Sequence, residues 1–174
     1  MINKFLIYII FFVNLSFFAN ASTEIPFPNM FVSKVPITYK EEIEFKGFEG
    51  KAINLSNYNN EIFLLNFWAT WCAPCKKEMP SLNKLQSNFK EIKIFPINIQ
   101  ESDKKKSEIF FKNLKINNLQ IYFDTNSKLA NIFWLRGIPT TIILNKHKQE
   151  IARIVGDADF ENEKFVKWLK ENKK

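Results

Sequence analysis

From Ile62 to Trp68 the chain is apolar at every position but one, Asn66. An apolar run of that length is the pattern of a strand buried on both faces at the centre of a sheet. Residues 92–99 predict a second buried strand and residues 140–144 a third. Between the first two the period changes: Met79, Leu82, Leu85 and Phe89 recur at the spacing of one helix face. Upstream, Ile43, Phe45 and Phe48, then Ile53 and Leu55, flank a turn near residues 47–50 and predict a β-hairpin. Residues 56–60 are polar and read as a turn or short helix. Residues 104–115 read as a helix with Ile109, Phe110 and Leu114 inward, residues 121–123 as a short strand, and residues 128–135 as a short helix. Residues 145–148 turn the third buried strand into a partner at 150–155. The last element is an amphipathic helix, 160–172, with Phe165, Trp168 and Leu169 on its apolar stripe. The order is β-α-β-α-β-α-β-β-α after a leading hairpin, one α/β domain spanning 41–172 with no internal repeat.

Residues 22–40 carry Pro26, Pro28 and Pro36 without clear periodicity and read as an extended leader. Before them, Lys4 precedes an apolar run from Phe5 to Ala19, and Ala19-Asn20-Ala21 has the small-x-small form of a cleavage site. The run is about 15 residues, short of the roughly 20 that cross a bilayer. Residues 1–21 are therefore expected to be a signal peptide, with an uncleaved membrane anchor as the alternative. Either form carries the domain to the periplasm or another extracytoplasmic space, the second leaving it anchored to the inner membrane.

Hydrophobic residues make up 46% of the 174, which excludes a disordered chain. The formal charge is +7, yet the lysines are interleaved with acids. The longest basic run, Lys104-Lys105-Lys106, lies between Asp103 and Glu108 and reads as the solvated start of a helix. No zinc finger, aromatic RNA-binding motif or basic helix accompanies it, so no nucleic-acid partner is expected. The chain has two cysteines, Cys72 and Cys75. In an oxidising compartment they pair with each other. A loop so short constrains the unfolded chain only modestly, which makes a structural staple a poor explanation. A zinc site is poorer still, since it takes four ligands and the chain has one His and no second cysteine pair. Redox chemistry is the reading these constraints favour.

The central strand runs straight into Trp71-Cys72-Ala73-Pro74-Cys75 and then a helix. Cys72 falls at the helix start, where unpaired N–H groups and the positive end of the dipole stabilise a thiolate. Pro74 suits the first turn, where its missing N–H costs nothing. Lys76 and Lys77 add positive charge. Cys75 lies one turn on, towards the body of the protein. Cys72 is expected to attack and Cys75 to resolve.

The stretch Phe67-Trp68-Ala69-Thr70-Trp71-Cys72-Ala73-Pro74-Cys75-Lys76-Lys77-Glu78-Met79-Pro80, with Gly137-Ile138-Pro139-Thr140-Thr141 later ahead of a strand, resembles the signature of the TlpA/ResA-like thiol–disulfide oxidoreductases of the thioredoxin superfamily. The resemblance extends from about Glu41 to Asn172. It implies a thioredoxin fold with an N-terminal β-hairpin and a central helix insertion at 104–115. It makes Pro139 a cis-proline facing the cysteines and leaves the Ile138 backbone free to pair with an extended substrate. Pro80 would kink the active-site helix. Glu78, one turn beyond Cys75 on the same face, would tune the cysteines or pass a proton; the alternative is a solvated helix glutamate. Asn66 stands where small thioredoxins carry a buried acid, and it cannot shuttle a proton. Trp71 would shape the surface that substrates meet, with Trp68 packed behind it. His147 reads as an exposed turn residue.

The activity so implied is reduction of disulfides in exported proteins by the Cys72–Cys75 dithiol, with no bound cofactor and no metal. Apocytochrome c is one client class and exported thiols in general another. A membrane electron donor of thiol–disulfide type would restore the dithiol, and a monomer is expected. Two other classes compete. A copper-handling module is disfavoured by CxxC rather than CxxxC spacing and by the distance expected for His147. A thiol peroxidase is disfavoured by the residues around Cys72.

Overall fold

The computed structural model describes residues 24–172; the expected signal segment, 1–21, lies outside them. In chain order the elements are β1 (Met30–Ile37), β2 (Glu44–Gly47), β3 (Ala52–Asn54), β4 (Ile62–Trp68), α1 (Ala73–Asn88), β5 (Ile92–Asn98), α2 (Lys104–Asn113), β6 (Tyr122–Phe123), α3 (Lys128–Ile132), β7 (Thr140–Asn145), β8 (Glu150–Val155) and α4 (Glu163–Glu171). The strands form one mixed sheet in the order β1-β8-β7-β4-β5-β6-β2-β3. β4 runs parallel to β5, with α1 as the crossover between them, and antiparallel to β7. The fold is α/β and thioredoxin-like, with the β2–β3 hairpin and the α2 insertion where the sequence places them.

All seven residues of β4 are buried. Alternation sends Ile62, Leu64 and Trp68 to a face covered by Met79, Leu82 and Leu85 of α1 and Phe165, Trp168 and Leu169 of α4. It sends Phe63, Leu65 and Phe67 to the opposite face, with Phe45, Leu129, Phe133, Ile142 and Leu144. Burial on both sides is why the run is apolar throughout. Helix α1 continues through Pro80 to Asn88, although a proline has no N–H to offer the Lys76 carbonyl one turn back. Among the described residues no helix is long and apolar enough to cross a membrane.

Three expectations change. The segment read as an extended leader contains β1, which pairs with β8 through Met30↔Ile154, Phe31↔Arg153 and Val32↔Ala152. It lies at the sheet edge with only Met30 buried, so no apolar alternation betrays it. Lys34 and Pro36 suit such an edge, where charge and a missing N–H discourage further pairing. In α2, Ile109 points to solvent at 48% exposure and Phe111 turns inward beside Phe110. The inward arc begins at the buried Ser107, whose hydroxyl accepts from Asn98 Nδ2 at 2.9 Å, and a polar anchor of this kind is invisible to a hydrophobic count. The last helix starts at Glu163 rather than at residue 160, because the Asn162 side chain accepts from the N–H groups of Lys164 and Phe165 and caps it there.

Trp68 ties the insertion to the central strand. Its ring lies 4.7 Å from that of Phe110 and 5.5 Å from that of Phe111, fully buried. Trp68→Ala is therefore expected to lower the unfolding free energy by about 3–5 kcal/mol. Denaturant midpoints at unchanged slope measure this; a loss below about 1 kcal/mol would show that α2 is held by other contacts.

Candidate active site

The chain leaves β4 at Trp68 and reaches Cys72, which caps α1 in an extended conformation with φ −81° and ψ 104°. The Cys75 N–H donates to Cys72 Sγ at 3.3 Å, and Pro74 occupies the first turn. Cys72 and Cys75 are joined in a disulfide, their Cα atoms 5.3 Å apart. Cys72 keeps 4% of its surface exposed and Cys75 none, so an incoming sulfur meets Cys72 first. Both following lysines are exposed; Lys77 pairs with Asp157 at 2.7 Å, which leaves Lys76 as the cation without an ion pair among the described residues.

The Ile138–Pro139 bond is cis. β7 opposes β4 with Phe67 across from Thr140, and continuing that register sets Pro139 opposite Trp68, at the end of the sheet from which the cysteine loop departs. Pro139 is buried, its carbonyl accepting from the Gly156 N–H at 2.8 Å. The Ile138 backbone makes no backbone hydrogen bond among the described residues. His147 is exposed in the β7–β8 turn, next to the position where Asn145 pairs with Ile62, the first residue of β4. That is the opposite end of the sheet from the cysteines.

Inside the helix-covered face, Asn66 and Thr141 form a cross-strand pair. One Asn66 N–H reaches Thr141 Oγ1 at 2.9 Å and the other reaches Glu78 Oε1 at 2.7 Å. The Ala158 N–H donates to Glu78 Oε2 at 3.2 Å. Glu78 is 2% exposed, so it is no solvated helix residue. Burial pushes its carboxyl up to about 8, against the opposing pull of the Asn66 and Ala158 hydrogen bonds; the charge of Asp157 adds a smaller upward push. One turn beyond Cys75 there is thus a carboxyl that holds its proton near neutrality. Trp68 belongs wholly to the core, whereas Trp71 is 65% exposed.

Sequence reasoning missed the residues that hold the cysteine loop from outside. Trp71 Nε1 donates to Gln100 Oε1 at 2.6 Å, and Thr70 Oγ1 to Asp103 Oδ2 at 2.9 Å. The Gln100 N–H in turn donates to Asn98 Oδ1 at 2.8 Å. The available signal was slight: Asn98 is the polar residue that ends a strand whose other polar residue is Lys93, near its start.

Glu78 gives stability a definite pH dependence. The ordinary glutamate value of 4.5 applies to the unfolded chain and about 8 to the folded one. Below the lower value both states are protonated and the burial is not penalised. As pH rises from there towards about 8, the unfolded state releases a proton that the folded state retains, and stability falls by about 1.4 kcal/mol per unit of pKa displacement. Glu78→Gln removes that dependence, so its melting temperature should vary less than the wild type's across this window. Parallel curves from thermal unfolding at several pH values would show that Glu78 titrates as an ordinary glutamate.

The sequence profile of the AhpC/TSA family matches residues 39–153, well over half of the chain. A thiol–disulfide oxidoreductase ResA of Bacillus thuringiensis (strain Al Hakam) is 32% identical over 115 residues, 63% of this chain and 63% of the relative. The chain thus spans less than two thirds of that relative's own length. Another ResA, of Bacillus thuringiensis subsp. konkukian, is 32% identical over 68% of this chain and 69% of its own. Among solved structures, StoA of Bacillus subtilis superposes with a TM-score of 0.61 at 26% identity, covering 79% of this chain and 99% of that one. The paired cysteines at a helix start, the cis-proline at the same end of the sheet and these likenesses agree: the chain belongs to the AhpC/TSA family within the thioredoxin superfamily, as a relative of the ResA thiol–disulfide oxidoreductases.

Proposed function

We propose that this protein is an extracytoplasmic thiol–disulfide oxidoreductase that reduces disulfides in exported proteins. The observation that carries the reading is the Cys72–Cys75 disulfide at the N-terminus of α1, with Cys72 slightly exposed and Cys75 fully enclosed. In the reduced protein the Cys72 thiolate, favoured by the free N–H groups of the first turn, attacks one sulfur of a client disulfide. The client bond breaks, a Cys72–client mixed disulfide forms, and the released client sulfur takes up a proton. Cys75 then gives up its proton and attacks Cys72 Sγ. The client leaves with its second thiol, having received two electrons, and the Cys72–Cys75 bond is restored. Glu78, buried on the face of α1 that carries Cys75, is the group that exchanges the Cys75 proton. An extended client segment pairs with the Ile138 backbone ahead of Pro139, and Trp71 borders the same surface. The chemistry needs no bound cofactor. It does need a thiol–disulfide donor to return two electrons, and export across a membrane, supported by the signal-like residues 1–21, calls for a membrane protein in that role. Apocytochrome c, whose cysteines must be reduced before haem attachment, is one client class; exported proteins with mispaired cysteines are the other.

The order of attack is open to trapping. Cys75→Ser should accumulate mixed disulfides with clients, because the adduct on Cys72 has nothing to resolve it, and Cys72→Ser should accumulate few. Non-reducing gels of cell extracts read this directly, and the reverse pattern would exchange the two roles.

Direction is set by the residues between the cysteines. Strong oxidants of this superfamily stabilise the attacking thiolate so well that the reduced state is favoured, often with a His between the two cysteines. Here Ala73 and Pro74 offer no side-chain donor. The thiolate has the helix end and Lys76, so the disulfide should be hard to reduce. Equilibration with glutathione buffers should give a potential nearer the roughly −270 mV of thioredoxin than the roughly −120 mV of the strong oxidants. A value near the latter would make the protein a disulfide-forming enzyme.

A further inference from the structure

Beside the cysteine loop, the start of α1 and the helix α2 enclose a groove of about 450 Å³. Thr70, Trp71, Lys76, Lys106, Ile109 and Phe110 line it. Phe110 is buried at its floor, while Trp71 and Ile109 stand 65% and 48% exposed on its walls. Two large, exposed apolar side chains thus border one hollow, against which a visiting apolar side chain would be buried. The indole is not left to rotate, since Gln100 holds its N–H at 2.6 Å. Every charged residue in the lining is a lysine. Lys106 meets Asp103 at 3.2 Å, but that carboxylate is itself buried and engaged by Thr70. Lys76 has no ion pair among the described residues. The groove adjoins the reacting sulfur: Trp71 precedes Cys72 in the chain, and the Lys76 N–H donates to the Cys72 carbonyl at 3.1 Å.

We propose that this groove binds a client segment in which an apolar side chain lies next to a carboxylate, and so selects acidic stretches for reaction at Cys72. The apolar side chain fills the space between Trp71 and Ile109, and the carboxylate meets Lys76 and Lys106. The volume suits one or two side chains of an extended segment rather than a folded surface. The inference rests on the oxidoreductase reading for the reaction after binding, and on the groove's own lining for the binding itself.

Two disulfide-bridged peptides test it, one with Glu-Leu-Glu beside its cysteine and one with Lys-Leu-Lys, and glutathione disulfide serves as the common reference. Reduced wild-type protein should react with the acidic peptide about ten-fold faster in kcat/KM than with the basic one, and the preference should shrink as salt rises. The pair Ile109→Ser with Lys106→Gln should remove most of that preference while leaving the glutathione reaction within about two-fold. Lys146→Gln, an exposed lysine in the β7–β8 turn, should leave it intact. Equal rates for the two peptides in wild type, an equal fall on all three substrates, or the same loss from Lys146→Gln would each overturn the proposal. Anisotropy of the labelled acidic peptide with serines for cysteines reads binding without exchange. Saturable binding that the double variant loses supports the groove even if no disulfide is reduced, in which case the oxidoreductase reading alone fails. No binding to wild type overturns the groove.

Discussion

A strand with both faces covered can satisfy a polar side chain only from within the protein. Asn66 is the one polar residue of β4, and the structure around the cysteines is arranged about its amide. One N–H is taken by Thr141 on the neighbouring strand and the other by Glu78 on the covering helix. That second bond draws a carboxyl into the core, where the Ala158 N–H from the loop after β8 also reaches it. Sheet, helix and loop thus meet on one ionisable group. An aspartate in place of Asn66 would set two carboxyls against each other in the same enclosure, and they would share their titration. With asparagine there, Glu78 alone carries the proton, and the amide that holds it cannot compete for it.

The cysteine loop is gripped from the other side by the insertion. Trp68 packs under Phe110 and Phe111, Thr70 donates to Asp103, and Trp71 donates to Gln100. These contacts come from three successive stages of one connection: the end of β5, the turn after it, and α2. The insertion is therefore a wall of the active site as well as an addition to the sheet. It fixes the backbone that leads into Cys72, so the cap of α1 is defined before any client arrives.

Legibility in the sequence divides along the same line. β4, β5 and β7 declare themselves because burial on both faces gathers their apolar residues into short runs. The cysteines, Pro74 and the helix start are a local pattern that needs no distant partner to be read. Glu78 is legible in its spacing but not in its burial, since a charged residue on a helix ordinarily faces water and only Asn66, twelve positions back, reveals otherwise. β1 is hidden because an edge strand with one buried residue has no alternation to detect. Ile109 reads as inward in place of Phe111 because the inward arc of α2 is anchored by a serine. Gln100 and Asp103 give little signal: each reaches the cysteine loop through one hydrogen bond to a residue about thirty positions away, which hydrophobic periodicity does not register.

The two sides of the site also differ in how freely they can change. Asn66, Thr141, Glu78 and Trp68 are almost wholly enclosed, and any substitution among them leaves a buried donor, acceptor or void that the core must absorb. A change in proton handling is therefore coupled to a loss of stability. Ile109, Lys106 and the indole face of Trp71 are open to solvent. Substitution of Ile109 takes little from the fold, because α2 is anchored through Phe110, Phe111 and Ser107, whereas Lys106 and Trp71 each keep one polar contact, to Asp103 and Gln100. The cysteine pair is thus tied to the core, whereas the exposed side chains beside it are tied to the fold by single polar contacts and are freer to change.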